Sequence, residues 1–98
     1  MNVEYWLNGI CFEWVRKKAA ANLRKHGVDF KAACEVFFDP FVCFVDSEVV
    51  GGEERERVIG MTVGWDLLVV AYMDRGDSIR LISARSATRK ERQAYEDQ

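Results

Sequence analysis

The stretch Trp14–Phe38, WVRKKAAANLRKHGVDFKAACEVFF, decides the fold of this chain. It predicts two helices joined at His26-Gly27, because a glycine readily adopts the left-handed conformation that ends a helix. The first helix should cover residues 15–25, and Asp29 can cap the second. The second helix should end at Asp39-Pro40, since the residue before a proline disfavours helical geometry. Its apolar face consists of Phe30, Ala33, Cys34, Phe37 and Phe38.

Short apolar runs on both sides of this stretch predict strands. Asn8-Gly9 favours a tight hairpin turn, because both residues accept the positive φ angles of such a turn. We expect the hairpin strands at residues 3–7 and 10–13, and an acidic loop at 46–54. The later strands are predicted at 41–45, 57–63, 67–73 and 79–85. A last helix should cover 89–96, where Thr88 and Glu91 have the spacing of a capping box.

The order of these elements predicts an α+β fold in a single domain, residues 1–98. Consecutive strands joined by short loops pair antiparallel. We therefore expect an antiparallel sheet of about four strands plus the N-terminal hairpin. The two N-terminal helices and the C-terminal helix should pack on one side of it. The strand at 67–73 is the most apolar and should be central.

Composition narrows the class of protein. Cysteine occurs three times, an odd number without CxxC spacing, which favours buried free thiols in a reducing compartment. The one histidine has no cysteine or second histidine at ligand spacing, so we expect no metal and no cofactor. The N-terminus does not resemble a signal peptide, and no apolar run could span a membrane. We expect a cytoplasmic protein.

Charge is distributed unevenly, although the net charge is only −2. Residues 15–28 carry only basic charges, residues 29–56 are mostly acidic, and residues 80–92 are basic again. Such segregation can build one positive and one negative patch on a domain. The alternative is that these residues form solvated helix faces without a partner.

The basic residues suit RNA cleavage by attack of a 2′-hydroxyl. That reaction needs a proton acceptor, a group that stabilises the phosphorane, and a proton donor for the leaving oxygen. The guanidinium of arginine can bind two phosphate oxygens, and histidine, which occurs here only as His26, is a common proton donor or acceptor in catalysis. Structural roles are open alternatives: His26 and Lys25 can simply end a helix, and Arg57 can pair with a nearby glutamate. In a regular strand Arg80 and Arg85 would lie on opposite faces, and only a bulge or the strand's end would unite them.

The chain resembles the BrnT toxins of type II toxin–antitoxin systems. Three regions carry the resemblance: the opening box, the middle and the end. The landmarks are Phe12-Glu13-Trp14, Lys18, Asn22, Lys25-His26-Gly27-Val28, Asp39-Pro40, Gly52-Glu53-Glu54-Arg55, Arg57, Ile59-Gly60, Ile79–Arg85, Ala87-Thr88-Arg89 and Tyr95-Glu96. The resemblance implies a RelE-like ribonuclease that works without a metal and inhibits translation. Val15 stands where the family usually has an acidic residue, and residues 1–10 extend beyond where many relatives begin.

The resemblance also implies partners and site residues. The partners would be an RNA substrate and a BrnA-type antitoxin, with DNA contacted only through the antitoxin. A homodimer or a toxin–antitoxin heterotetramer would fit. The implied catalytic residues are Lys25, His26, Arg57, Arg80 and Arg85. The implied RNA-binding residues are Arg24, Arg89, Arg92 and Tyr95. The competing hypothesis is a catalytically silent module that only binds a DNA-binding antitoxin.

Overall fold

A computed structural model describes all residues, 1–98, and contains one six-stranded sheet in the order β1-β2-β6-β5-β4-β3. The strands are β1 Asn2–Leu7, β2 Ile10–Val15, β3 Cys43–Val50, β4 Glu53–Met61, β5 Leu67–Asp74 and β6 Ile79–Ser86. The helices are α1 Arg16–His26, α2 Phe30–Cys34 and α3 Arg89–Glu96, with a 3-10 turn at Glu35–Phe38. The α+β class is as predicted, and the strand predicted to be central is β5, in the middle of the sheet.

The N-terminal hairpin forms as predicted, with Asn8 at φ 50° and Gly9 at φ 82°. The hairpin is, however, part of the main sheet. Strand β2 pairs in parallel with β6, opposing Phe12 to Ile79, and all other strand pairs are antiparallel. The expected antiparallel sheet of about four strands plus a hairpin is therefore corrected to one mixed sheet. Connection lengths did not reveal this pairing, because β2 and β6 are far apart in sequence.

The helix ends follow the local chemistry of the sequence. Gly27 has φ 70°, and its N–H donates to the carbonyl of Leu23 to close α1. The carboxylate of Asp29 accepts from the N–H of Lys31 and caps α2. At the start of α3, Thr88 and Glu91 form both bonds of the capping box. The predicted second helix is divided, because only its first part is α-helical and the rest is the 3-10 turn.

The helices cover both faces of the sheet. We call the face under α1 and α2 the inner face; its buried cluster includes Phe12, Phe30 and Val70. The opposite, outer face carries α3, where Tyr95 packs against a small buried cluster of Ile59, Leu67 and Val69. The expectation that all helices lie on one side is therefore wrong. Apolar residues at consecutive positions of β5 require cover on both faces.

The segment predicted as strand 41–45 and acidic loop 46–54 is instead a long hairpin. Strand β3 runs to Val50, and Gly51 and Gly52 form the turn with φ 59° and 82°. The acidic residues lie in the strand because they face basic residues across the pair, as Glu48 faces Arg55.

The three cysteines are unpaired; Cys11 and Cys34 are buried, and Cys43 is partly buried. Burial raises the pKa of the Cys34 thiol to about 12, so this sulfur stays protonated at neutral pH. None of the helices is long and apolar enough to cross a bilayer.

Candidate functional site

A bulge in β6 decides where its arginines point. Opposite β5, Ser83 pairs with Ala71 and Leu81 pairs with Tyr72, so Ile82 is an extra residue in β6. Leu81 and Ala84 are consequently both buried on the inner face, although they are three residues apart. The extra residue shifts the alternation by one position. Arg80 and Arg85, which flank these two core residues, therefore share the outer face.

Asn22 of α1 holds β6 directly after this bulge. Its buried amide donates to the carbonyl of Ala84 at 2.9 Å and to the carbonyl of Val28 at 3.1 Å. Its side-chain oxygen accepts from the N–H of Ala84 at 3.0 Å. From the sequence, Asn22 was identified only as a landmark of the BrnT resemblance. The available signal was its spacing, since it follows Ala19 by three positions and so occupies the apolar stripe of α1.

Arg57 lies on the outer face of β4, between Ile59 and the hairpin end. It forms two hydrogen bonds with the carboxylate of Asp46 on β3, one of them from Nε to Oδ1 at 2.7 Å. Both side chains are nearly half exposed. The bond to the guanidinium holds the pKa of the Asp46 carboxyl below its usual value, and the same bond raises the pKa of Arg57. The pair is ionised at every physiological pH.

Arg85 forms a bidentate ion pair with Glu91, as Arg57 does with Asp46. Its two terminal nitrogens donate to the oxygens of Glu91 at 2.7 and 2.9 Å. This bond, together with the capping box, lowers the pKa of Glu91 to about 2. One glutamate thus closes the first turn of α3 and orients an arginine of the sheet.

Arg80 is bound by Glu13 of the neighbouring parallel strand β2. Its Nε donates to one glutamate oxygen at 2.9 Å, and the hydroxyl of Ser78 donates to the other at 3.2 Å. Both charged side chains are largely buried. Glu13 was known from the sequence only as part of the opening box; its role as partner of Arg80 depends on the β2–β6 pairing.

The outer face therefore brings the three predicted arginines onto one surface, which we call the arginine face: Arg57, Arg80 and Arg85. Arg57 and Arg85 lie close enough for their charges to act on each other. Arg80 sits nearer the start of β6, beside β2. A fourth arginine, Arg55, is on the same face, and its buried Nε has no hydrogen-bond partner.

Lys25 and His26 are not on the arginine face. They end α1, the helix that packs on the inner face, together with Arg24. Lys25 and Arg24 are exposed, and neither forms an ion pair. His26 lines a cleft of about 260 Å³ with Asp66 and Ser86, at the end of β6.

The RNA-binding residues implied for the C-terminal helix differ in their surroundings. Arg89 and Arg92 are exposed on α3. Tyr95 is half-buried, and its hydroxyl donates to the carboxylate of Asp39. Burial and this bond raise the pKa of Tyr95 to about 12, so its proton stays on the oxygen at neutral pH. No three His, Cys, Asp or Glu side chains are grouped closely enough to hold a metal ion.

Comparison with known proteins identifies the family. The model of the family described as "Ribonuclease toxin, BrnT, of type II toxin-antitoxin system" matches residues 14–91. This chain belongs to the BrnT family. Its fold matches the 1.1 Å crystal structure of the Brucella abortus ribonuclease toxin BrnT with a TM-score of 0.62 and 27% sequence identity. That match covers 78% of this chain and 94% of the Brucella chain. No curated protein matches the sequence.

The BrnT match confirms the predicted resemblance and supports a BrnT-type ribonuclease toxin of a type II toxin–antitoxin system. The matched region contains Arg57, Arg80 and Arg85 with two of their partner carboxylates, Asp46 and Glu91, whereas Glu13 lies directly before it. Strand β1 and the end of α3, with Arg92 and Tyr95, lie outside it.

Proposed function

We propose that this BrnT chain cleaves RNA without a metal, using the arginine face, and thereby inhibits translation until a BrnA-type antitoxin binds it. The observation that carries the proposal is the β6 bulge. It sets Arg80 and Arg85 on the same face as Arg57. Three strand arginines on one exposed surface suit phosphate binding, because each guanidinium can grip two oxygens.

The proposed reaction is attack by a 2′-oxygen on the adjacent phosphorus. The new oxygen–phosphorus bond forms as the bond to the 5′-oxygen breaks, giving a cyclic phosphate and a free 5′-hydroxyl. The 2′-hydroxyl loses its proton to a base, and the leaving 5′-oxygen takes a proton from an acid. Arg57 and Arg80 would stabilise the added negative charge of the phosphorane.

In the proposed reaction, the carboxylates bound to the arginines occupy the positions that phosphate oxygens would take when RNA binds. They keep each guanidinium extended along the sheet in the absence of RNA. A phosphate can replace Asp46 on Arg57 at modest cost, since an exposed ion pair of this kind contributes only about 0–1 kcal/mol. We expect Arg80 to be the most precisely positioned of the three, because Glu13 is largely buried and also bonded to Ser78.

A role in positioning the RNA beside the arginine face is proposed for His26, with Lys25 as the neighbouring cation. The side chain of His26 makes no hydrogen bond within the chain and lines a cleft at the end of β6, next in space to the strand end that carries Arg85. The RNA strand would pass over this end from one face of the sheet to the other. Further phosphate contacts are proposed for the exposed side chains of Arg24, Arg89 and Arg92, with Tyr95 contributing its ring because its hydroxyl is bound to Asp39.

RNA cleavage by purified protein in EDTA tests this proposal. Wild type should cut RNA and stop a translation extract. Arg80→Ala should cut at least about 100-fold more slowly, the usual effect of removing one transition-state donor. Arg75→Ala is the matched control, because Arg75 is an exposed turn residue without an ion pair, and its activity should be unchanged. Loss of wild-type cleavage in EDTA would overturn metal independence, and full activity of Arg80→Ala would overturn the arginine site.

One observation favours the alternative, a catalytically silent binding module. Each arginine of the arginine face is already neutralised by a carboxylate. Arg85→Lys distinguishes an RNA-cleaving enzyme from a binding module, because lysine keeps the positive charge but cannot form a bidentate contact with phosphate. Cleavage that falls with Arg85→Lys supports the enzyme. A wild-type protein that never cuts RNA, yet binds its antitoxin equally well with either residue, supports the binding module.

A further inference from the structure

The turn between β4 and β5 holds a tryptophan in a strained conformation. Trp65 has φ 68° and is 82% exposed. Left-handed φ values are unfavourable for bulky residues, and here little packing compensates for them. The turn is closed by hydrogen bonds: the N–H of Trp65 donates to the carbonyl of Thr62, and the N–H of Asp66 donates to the Thr62 hydroxyl. A strained, exposed aromatic residue in a firm turn indicates a binding role.

Other apolar side chains surround Trp65. It borders a cleft of about 280 Å³ together with four other apolar residues. We call this group the Trp65 patch: Phe38, Pro40, Met61, Val63 and Trp65. Val63 is also 82% exposed, and Phe41, next to Pro40, is 63% exposed. Grouped apolar exposure of this kind marks interaction sites, and tryptophan is the residue most often found at their energetic centre.

The charges at the edge of the Trp65 patch restrict what can bind. Glu35 and Asp39 line the same cleft, Asp66 follows Trp65, and no lysine or arginine lines the cleft. RNA phosphates would be repelled by these carboxylates. A second copy of the chain is disfavoured too, because a two-fold contact would set the same carboxylates against each other.

We propose that the Trp65 patch is the docking site for an apolar segment of a protein partner that carries lysine or arginine beside its apolar residues. Resting on the proposed function, this partner is the antitoxin. Trp65 would enter an apolar pocket of the partner, and the basic residues would meet Glu35, Asp39 and Asp66. No residue of the arginine face lines this cleft, so docking here does not require the RNA-cleaving groups.

The test uses Trp65→Asn, because asparagine tolerates the left-handed conformation but cannot fill an apolar pocket. Three quantities are measured: growth arrest on induced expression, affinity for the antitoxin encoded beside the toxin gene, and melting temperature of the free toxin. Trp65→Asn should arrest growth like wild type. Its antitoxin affinity should fall at least about 30-fold, the loss typical of a hot-spot tryptophan. Its melting temperature should rise by about 4 °C as the strain is relieved.

Trp6→Ala is the matched control, since Trp6 is also exposed, at 64%, but lies in β1 outside the Trp65 patch. It should keep antitoxin affinity. Unchanged antitoxin affinity in Trp65→Asn would overturn the inference, and so would a lower melting temperature, which would make Trp65 a packing residue. Loss of RNA cleavage in Trp65→Asn would assign the Trp65 patch to RNA instead. A wild-type dimer that Trp65→Asn converts to monomers would assign it to a second copy. Wild-type protein without toxicity would count against the proposed function, and antitoxin affinity would still test the docking site.

Discussion

The two faces of the sheet are built differently. The inner face is covered by α1 and α2 and buries a continuous apolar cluster around Phe12, Phe30 and Val70. The outer face buries only a small cluster around Ile59 and Val69, where α3 packs. The rest of the outer face carries arginines paired with carboxylates.

Because of this difference, we expect the inner face to provide most of the stability and the outer face to provide the binding surface. Apolar burial provides most of the free energy of folding, so the inner face should hold the fold together. Ion pairs that are partly exposed add little to stability, so the outer face can present arginines that remain available for a ligand. Changes at the inner face should therefore have large effects on folding, and changes at the outer face should have small ones.

The largest effect is expected for Phe12→Ala at the centre of the inner face. Phe12 is fully buried and packs against Phe37 and Phe38, with ring centroids 5.5 and 6.3 Å apart. Its removal should lower the free energy of unfolding by about 3–5 kcal/mol. Because small domains have only about 5–15 kcal/mol in total, denaturation by urea should show a much lower midpoint.

The corresponding change on the outer face is Trp6→Ala, which removes an exposed aromatic from the adjacent strand. It should change the free energy of unfolding by less than about 1 kcal/mol. Equal losses for Phe12→Ala and Trp6→Ala would contradict the assignment of stability to the inner face.

An intermediate effect is expected for Asn22→Ala, because the Asn22 side chain bonds helix α1 to strand β6. The change leaves both backbone groups of Ala84 and the carbonyl of Val28 without their side-chain partner. Unsatisfied buried groups cost about 1–3 kcal/mol each, and relaxation with water should limit the total loss to about 2–3 kcal/mol. Chemical denaturation measures this loss.

Asn22→Asp tests whether the amide donors of Asn22 contribute to stability. Aspartate keeps the acceptor for the Ala84 N–H but loses both donors and faces carbonyl oxygens with a charge. At neutral pH it should therefore be at least as destabilising as Asn22→Ala, and protonation on acidification should reduce the loss. A tolerated aspartate would show that the amide bonds do not hold β6 in place.

A small effect is also expected for Glu91→Gln on the outer face. Glutamine can maintain the capping bond but not the ion pair with Arg85. Since folding lowers the pKa of Glu91 to about 2, its charge stabilises the protein at neutral pH. That contribution should be lost as the pH falls from about 4.5 to 2. Allowing for partial exposure, we expect a difference of about 1 kcal/mol at pH 7.

The free energy of unfolding of wild type and of Glu91→Gln is measured between pH 7 and pH 3. These measurements show whether the stabilisation by the Glu91 charge decreases on acidification. The difference in free energy should shrink as the pH falls. A difference that stays constant would show that glutamine weakens the capping box rather than the ion pair.

Much of the local structure could be predicted from local chemistry. Asn8-Gly9, Gly27, Asp29 and the Thr88–Glu91 pair were each assigned to the turn or cap that they form. Such features depend on residues within one turn of the chain, so the sequence displays them directly. The acidic segment after Val45 was wrongly predicted as a loop, because the basic residues that it faces lie on another strand.

The candidate site was predictable only as a set of residue types. The arginines of β4 and β6 stood out because charged residues are unusual in apolar strands. The carboxylate partners of Arg80 and Arg57 could not be identified from the sequence, since Glu13 reaches Arg80 through a pairing between distant strands and Asp46 reaches Arg57 across a hairpin.

The sequence by itself determined most of the elements, their caps and turns, and the family, because these follow from local spacing and from motifs. Only the tertiary structure decided that β2 joins β6, that α3 covers the outer face, and that Ile82 bulges. The bulge places Arg80 and Arg85 on one face. Its position depends on strand register and on the bonds from Asn22 to Ala84, which are contacts between residues far apart in the chain.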